Sequence, residues 1–456
     1  MNSKKLKLTF HGGTEYVTGA NFLLESEGKK ILVDCGLFQG NKICDDKNRE
    51  PFAYNPADID VLLVTHGHLD HVGRIPKLVH DGFRGTIYST PATKDLGELI
   101  LFDSMGIMEK EAKWDQKDVI YTKEDVETAV ELWRKVPYHN EFDIGGGFVI
   151  RFKDAGHIMG SAMIEITYNG KKIVFTGDLG NSPAPVLRDT EVVDDADYIV
   201  MESVYGDRNH EAVEERTKML EDVIENTIKD GGALMIPAFS IERTQVLLFE
   251  LNHLIENNKI PCIPVFLDSP LAIKATAVYD KYERNFNINA TNIIKSGDDI
   301  FNFPCLKSTL RTEESKAIND VPNPKVIIAG SGMSNGGRIV HHEKRYLPDH
   351  KSTLLLIGYQ SPNTLGRKLQ DGVKVVKILG EDVTVNAKVV NIRGYSAHKD
   401  SDGLLEFVAN DAEKVKKVFV AMGEPKSSMF FVQKLKDNLG VDAVAPKMGD
   451  TFELEF

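Results

Sequence analysis

Residues 65–74 read THGHLDHVGR, and the six positions from His66 to His71 hold three of the chain's 13 histidines together with Asp70. The run DVLLVT just before them, residues 60–65, is apolar and β-branched and predicts a strand. His66 and His68 follow its end at an i, i+2 spacing, which points both rings to one side. Asp70 and His71 fall where the chain turns into a predicted helix, VGRIPKLVH, residues 72–80. Two imidazoles can grip one divalent ion, and a carboxylate with a third imidazole can grip another close by. Neutral imidazole and carboxylate suit zinc, manganese or iron. A single histidine is usually an ordinary surface residue, but H-x-H-x-D-H at a strand end is a far rarer coincidence.

Working outward, the distant partners sit in similar places. KDAGHIMGSA (153–162) puts His157 after a β-rich run, and KKIVFTGDLG (171–180) puts Asp178 at the end of an apolar strand. A carboxylate there can be a plain turn residue; beside the histidine motif it can bridge two ions. Asp34, in ILVDCG (31–36), is another strand-end acid, placed to orient a ligand histidine from behind.

The first two hundred residues alternate short β-rich runs with glycine turns, and helical patterns lie after His71 and from about Pro91 to Trp133. From about Gly206 the cadence becomes helix then strand, the pattern of a parallel sheet covered by helices. At 456 residues and 42% hydrophobic, the chain is long enough for two cores. A net charge of −13 argues against non-specific nucleic-acid binding over the whole surface, so any polyanion must be met locally. The four cysteines, Cys35, Cys44, Cys262 and Cys305, are scattered, which suits a reducing compartment and gives no disulfide framework. The stretch MNSKKLKLTF lacks a signal-peptide core and no apolar run approaches membrane-spanning length, so a cytoplasmic protein without a membrane partner is expected.

Asp34, HGHLDH (66–71), His157 and Asp178, in this order, resemble the four motifs of the metallo-β-lactamase fold. The likeness implies that His66, His68 and His157 hold one metal, that Asp70 and His71 hold a second, and that Asp178 bridges. MESVYGDRNH (201–210), with Glu202, and YSAHKD (395–400), with His398, resemble the motifs that open and close the β-CASP insert. Between them PAFSIERTQ (237–245), FLDSPLA (266–272), AGSGMSNGGR (329–338) and GYQSPNTLGR (358–367) resemble segments of the family's RNA-processing branch. The fold class expected is therefore α/β, an αββα sandwich with an inserted parallel-sheet domain. The boundaries expected are 1–206 and 391–456 for the sandwich and 207–390 for the insert.

The implied activity is two-metal hydrolysis of phosphodiester bonds in single-stranded RNA, with two Zn2+ ions, or Mn2+, as cofactors. Asp70, Glu202 and His398 are the expected catalytic residues: His398, oriented and kept protonated by Glu202, gives a proton to the departing oxygen. Products with a 5′-phosphate and a 3′-hydroxyl are implied. The residues also place a Ser/Gly-rich loop between a strand and a helix, where Ser331, Gly332, Met333, Gly336, Gly337 and Arg338 are expected to meet phosphate, joined by Arg367. Arg338, His341, His342, Lys344 and Arg345 concentrate positive charge that could form a local groove, a solvated helix face being the plainer account.

Two positions depart from the family pattern. Met422, in VFVAMGEP, stands where RNA-cleaving members carry a histidine that completes the second metal site, and a thioether is a poor ligand for zinc or manganese. DNA-repair members also lack that histidine. Glu242 stands where glycine is more usual. The alternatives are a catalytically weak nucleic-acid-binding or scaffold protein, a DNA-directed nuclease, and a hydrolase of small molecules, against which the insert and the Glu202–His398 pair argue. No appended RNA-binding domain is recognisable, which leaves a homodimer or a partner as the source of substrate choice.

Overall fold

The structure is a computed structural model and describes residues 5–26, 28–40, 42–115, 118–210, 213–361 and 363–456. The chain forms two compact units, Met1–Asn209 with His398–Phe456, and His210–Ala397.

The first unit contains two seven-stranded sheets. One has the order Thr451–Glu455, Lys5–Gly12, Asn21–Ser26, Lys29–Val33, Val61–Leu63, Thr86–Ser89, Trp133–Lys135. The other runs Ala443–Val444, Lys417–Val420, Tyr198–Met201, Lys171–Phe175, Ala162–Tyr168, Phe148–Asp154, Phe142–Asp143. Strand side chains alternate between faces, and that alternation builds the layers. Ile173, Phe175, Val200 and Phe419 turn inward to meet Phe10, Phe22, Val33 and Leu63 of the facing sheet. Their neighbours Val174, Ile199, Met201 and Val418 turn outward onto Leu404 and Phe407 of helix Ser401–Ala409 and Phe431 and Leu435 of helix Pro425–Leu439. On the opposite flank Leu32, Leu62 and Ile87 pack against Ile75 and Leu78 of helix Ile75–His80 and Val126 of helix Lys123–Leu132. Each large side chain buried this way contributes roughly 1.5–3 kcal/mol. The result is an αββα sandwich.

The second unit is built on a six-stranded parallel sheet, in the order Leu306–Ser308, Val265–Leu267, Lys325–Ala329, Ala233–Pro237, Thr353–Ile357, Lys388–Ile392, with a separate hairpin of Val375–Ile378 and Glu381–Thr384. The central strands ALMIP, KVIIA and TLLLI are buried throughout, as helices on both faces of a parallel sheet require. Sequence reading set the unit edges at 206/207 and 390/391, whereas the units divide at 209/210 and 397/398. Local bonding explains the difference. The Arg208 carbonyl accepts from Ser401 N–H at 3.0 Å and Asn209 Nδ2 donates to Asp402 at 2.7 Å, which ties 207–209 to the sandwich. Lys388–Ile392 is an edge strand of the insert, and the Tyr395 hydroxyl bonds Glu250 there.

One sequence expectation is corrected. Cys262 and Cys305 form a disulfide with Cα atoms 5.7 Å apart. Their separation of 43 residues hides the fact that they precede adjacent parallel strands, with Val265 opposite Leu306. Cys35 and Cys44 are buried. Among the described residues no helix is long and apolar enough to cross a membrane.

Candidate active site

His66, His68, His157 and Asp178 lie in loops that follow strands, and Asp70 and His71 lie in the short helix Leu69–Val72, all in the first unit. His68 caps the short helix Leu69–Val72, so the chain turns between the His66–His68 pair and the Asp70–His71 pair. Asp34 follows strand Lys29–Val33 at φ 58°, a left-handed conformation that an aspartate tolerates better than most residues. Its carboxylate is fully buried and accepts three bonds: from Thr65 N–H (2.8 Å), the Thr65 hydroxyl (2.8 Å) and His71 Nδ1–H (2.7 Å). Since the Thr65 hydroxyl points its proton at Asp34, its oxygen accepts from His66 Nδ1 at 3.1 Å. Asp34 and Thr65 thus turn the Nε2 atoms of both imidazoles toward the site.

Three ring nitrogens then converge: His66 Nε2 and His157 Nε2 stand 3.1 and 3.3 Å from His68 Nδ1. Asp178 Oδ2 is 3.6 Å from His66 Nε2 and 3.5 Å from His157 Nε2, while Oδ1 is 3.5 Å from His71 Nε2. One atom from each of His66, His68, His157 and Asp178 lies within 4.8 Å of the others. Asp70 and His71 fall outside that group of four, although Asp178 reaches His71 through its second oxygen. The backbone N–H groups of His157 and Ile158 both donate to Ser161 Oγ, which steadies the His157 loop.

The donor set fits a divalent cation. His71 Nε2 is buried and makes no hydrogen bond, an arrangement that costs free energy unless a cation or solvent occupies it. Burial, and then the charge of His71, holds His66 well below the ordinary imidazole range, so it is a neutral ligand. Against burial, the charges of His71 and His398 hold Asp178 well below the usual carboxylate range. Burial, and less strongly Asp178, raises Asp70.

A second pair abuts this centre. Glu202 directly follows strand Tyr198–Met201, is fully buried, and accepts Leu179 N–H at 2.6 Å. His398 Nδ1 lies 3.2 and 3.1 Å from its two oxygens and 3.9 Å from Asp178 Oδ2. A β-bridge between Gly180 and His398 and a Lys399 N–H bond to the Leu179 carbonyl hold the two loops together. Against burial, Glu202 and then Asp178 push His398 up to about 9, so it carries a proton at neutral pH.

The expected phosphate loop, residues 331–338, follows strand Lys325–Ala329 in the second unit, and much of its bonding is internal. Ser331 N–H donates to the Gly336 carbonyl, and Asn335 N–H donates to Ser331 Oγ. Several of the cations expected to line a basic groove have protein acceptors. Arg338 bonds Asp268 (2.7 Å) and the carbonyls of Thr309 (2.9 Å) and Leu310 (2.8 Å). His342 is buried against Asp268 at 2.7 Å, Lys344 pairs with Glu381, and Arg367 pairs with Asp371. Sequence reading missed Thr65, which carries no signal beyond standing before His66, and Ser161, four positions after His157.

Met422 is 1% exposed and packs in the core between the two sheets, in reach of Gly13, so its thioether serves packing. Glu242 adopts φ 69°, ψ −60° with Arg243 N–H bonded to the Ile241 carbonyl, the rarer and strained form of γ-turn. A glycine would reach that conformation more cheaply, which accounts for the usual residue there.

A histidine-rich cluster bridged by one aspartate at the edge of an αββα sandwich defines a metallo-hydrolase of the β-lactamase type. Residues 17–222 match the metallo-beta-lactamase superfamily, residues 244–369 the Beta-Casp domain, and residues 382–446 the Zn-dependent metallo-hydrolase RNA specificity domain. The chain is 36% identical over 410 residues to Ribonuclease TTHA0252 of Thermus thermophilus, covering 90% of this chain and 92% of that one. It is 31% identical to an RNase J-like protein of Methanocaldococcus jannaschii, with 97% and 98% covered, and 31% identical to transcription termination factor FttA of Methanosarcina mazei, with 96% and 70% covered. The chain belongs to the β-CASP branch of the metallo-β-lactamase superfamily. A solved protein of unknown function from Enterococcus faecalis V583 superposes with TM-score 0.56 at 13% identity, covering 99% of this chain and 100% of that one, and speaks for the fold alone.

Proposed function

We propose that this protein is a metal-dependent ribonuclease that cleaves single-stranded RNA, with two zinc or manganese ions as cofactors. The observation that carries the reading is the Glu202–His398 pair set against a His66–His68–His157–Asp178 cluster. By this reading His66, His68 and His157 would hold one ion and Asp70 and His71 a second, with Asp178 available to both. Divalent ions held there supply Lewis acidity, acidifying water and neutralising phosphate charge. Asp34 and Thr65 keep the Nε2 atoms of His71 and His66 aimed at the site. His398, protonated against Glu202, delivers its proton to the leaving 3′-oxygen as water adds to phosphorus, which yields 3′-hydroxyl and 5′-phosphate ends. With Met422 packed in the core, the second ion has one ligand fewer than in RNA-cleaving relatives of the pattern described above.

The test is cleavage of end-labelled single-stranded RNA and DNA of one sequence, with added zinc or manganese. The native protein is expected to cut RNA, Asp178→Ala to abolish cutting, and His398→Ala to slow it by about 10²–10⁴-fold with RNA still bound. Intact RNA in every metal despite binding would turn the reading to a weak-catalyst binding protein, and preferential cutting of DNA would turn it to a DNA-directed nuclease.

A further inference from the structure

Arg243 opens helix Arg243–Glu256 in the second unit and is 8% exposed. Its Nε is buried without a hydrogen bond. Among the described residues the carboxylate within ion-pair range is Glu242, at 3.9 Å, too far for a hydrogen bond. Glu250, one residue type that could serve on the same helix, is already committed: Arg216 Nη2 bonds one oxygen at 2.6 Å and the Tyr395 hydroxyl bonds the other. A guanidinium whose buried Nε lacks an acceptor gains from an anion that supplies one.

The surroundings say what that anion is part of. Three neighbouring parallel strands, Lys325–Ala329, Ala233–Pro237 and Thr353–Ile357, end here, and open α/β sheets take ligands at that edge. Gly358, at φ 89°, lies against the guanidinium, where a Cβ would stand 3.8 Å from Nη2. Two solvent-reaching aromatics come from adjoining backbone, Phe239 at 42% exposure, whose carbonyl accepts from Thr244 N–H, and Tyr359 at 38%, next to Gly358. Phe239 lies against Gly332, where a Cβ would fall 2.7 Å from the ring, so a glycine is what lets the ring settle there. Phosphate recognition beside base-stacking rings is the chemistry of a nucleotide in a single strand.

We infer that Arg243, with Phe239 and Tyr359, forms an RNA-binding subsite in the second unit, in which the guanidinium takes one backbone phosphate and the rings take an adjacent base. The inference rests on the ribonuclease reading for the identity of the strand. Glu242 is the internal competitor for Arg243, held near it by the γ-turn, and it weakens the subsite.

The experiment is binding of labelled single-stranded RNA to the whole chain in EDTA, followed by anisotropy across a salt series. Arg243→Gln should weaken binding about tenfold and lower the slope of log Kd against log salt by about 0.7, the loss of one phosphate contact on a single strand. Phe239→Ala should weaken binding of normal RNA about 5- to 100-fold and leave an abasic strand of the same length unaffected. Glu242→Gln should tighten binding severalfold at unchanged slope. A slope in Arg243→Gln equal to that of the native protein would overturn the subsite while leaving the ribonuclease reading intact. If Arg243→Gln does not fold, an unchanged affinity in Glu242→Gln overturns it instead. A native protein that binds no RNA would bring down the ribonuclease reading and the subsite with it.

Discussion

At the scale of the residue, Asp34 organises more of the site than any metal-ligand candidate does. It receives Thr65 twice and His71 once, and through Thr65 it sets the tautomer of His66. Asp34→Asn keeps a side chain that accepts the left-handed backbone but replaces one acceptor with a donor, so it opposes His71 Nδ1–H or Thr65. Metal affinity should fall about 10–100-fold, as for other supporting groups behind metal ligands. Competition with a coloured chelator reads this directly, and an unchanged affinity would mean the tautomers are fixed by something else. The ligand candidates were legible in the sequence because a strand end and an i, i+2 spacing are local facts. The role of Arg338 was not legible, because its partner Asp268 lies 70 positions away and only folding shows that a conspicuous cation is already neutralised. Arg243 was overlooked for the mirror reason: nothing in PAFSIERTQ signals that its Nε will be buried without an acceptor.

At the scale of the element, the ligand loop depends on how closely two backbone segments approach. Gly36 follows Asp34, and a Cβ at that position would stand 1.5 Å from the Asp70 carbonyl oxygen and 2.8 Å from His71 N. No side-chain rotation relieves a clash between backbones, so Gly36→Ala must displace the turn that carries Asp70 and His71. Bound metal per chain is expected to drop sharply in this variant. Gly106, within helix Pro91–Asp115, has open space around it, and Gly106→Ala should bind metal normally and gain up to ~1 kcal/mol of stability. Equal metal content in the two variants would show that the turn yields more easily than its geometry implies. Strands and helices were largely legible from periodicity, yet the run from Pro91 to Trp133 is two helices rather than one pattern. The second starts at a capping box in which Thr122 and Asp125 bond each other's backbone N–H, and Trp133 already begins an edge strand. The cysteine pair shows the opposite limit, since sheet order, which no spacing reveals, brings Cys262 to Cys305.

At the scale of the whole molecule, one buried acid makes stability depend on pH. Glu343 is fully buried with one oxygen on Ser334 and the other without a partner, and burial raises its pKa from 4.5 to about 8. In the unfolded chain it ionises above pH 4.5, while in the folded chain it stays protonated to about 8. The unfolded state therefore binds fewer protons across that window, and stability falls as pH rises through it. Glu343→Gln removes the titration and should recover roughly 2–4 kcal/mol between pH 5 and pH 8. Unfolding in denaturant at both pH values, followed on the second unit, checks this, and a parallel fall in the variant would assign the effect to another group. The two-unit plan was legible from the change of cadence near Gly206. Its edges were not, because they are set by bonds such as Asn209 to Asp402, between residues far apart in the chain. The order of the chain has one more consequence. Eight of the nine candidate metal and proton-transfer groups with Asp34 included, from Asp34 to His157, Asp178 and Glu202, precede the insert, and His398 follows it. Strand Lys417–Val420, which pairs with the Glu202-bearing strand, comes later still. A ribosome thus delivers His398 only after the insert is made, and a prematurely released fragment ending before residue 398 is born without the proposed acid.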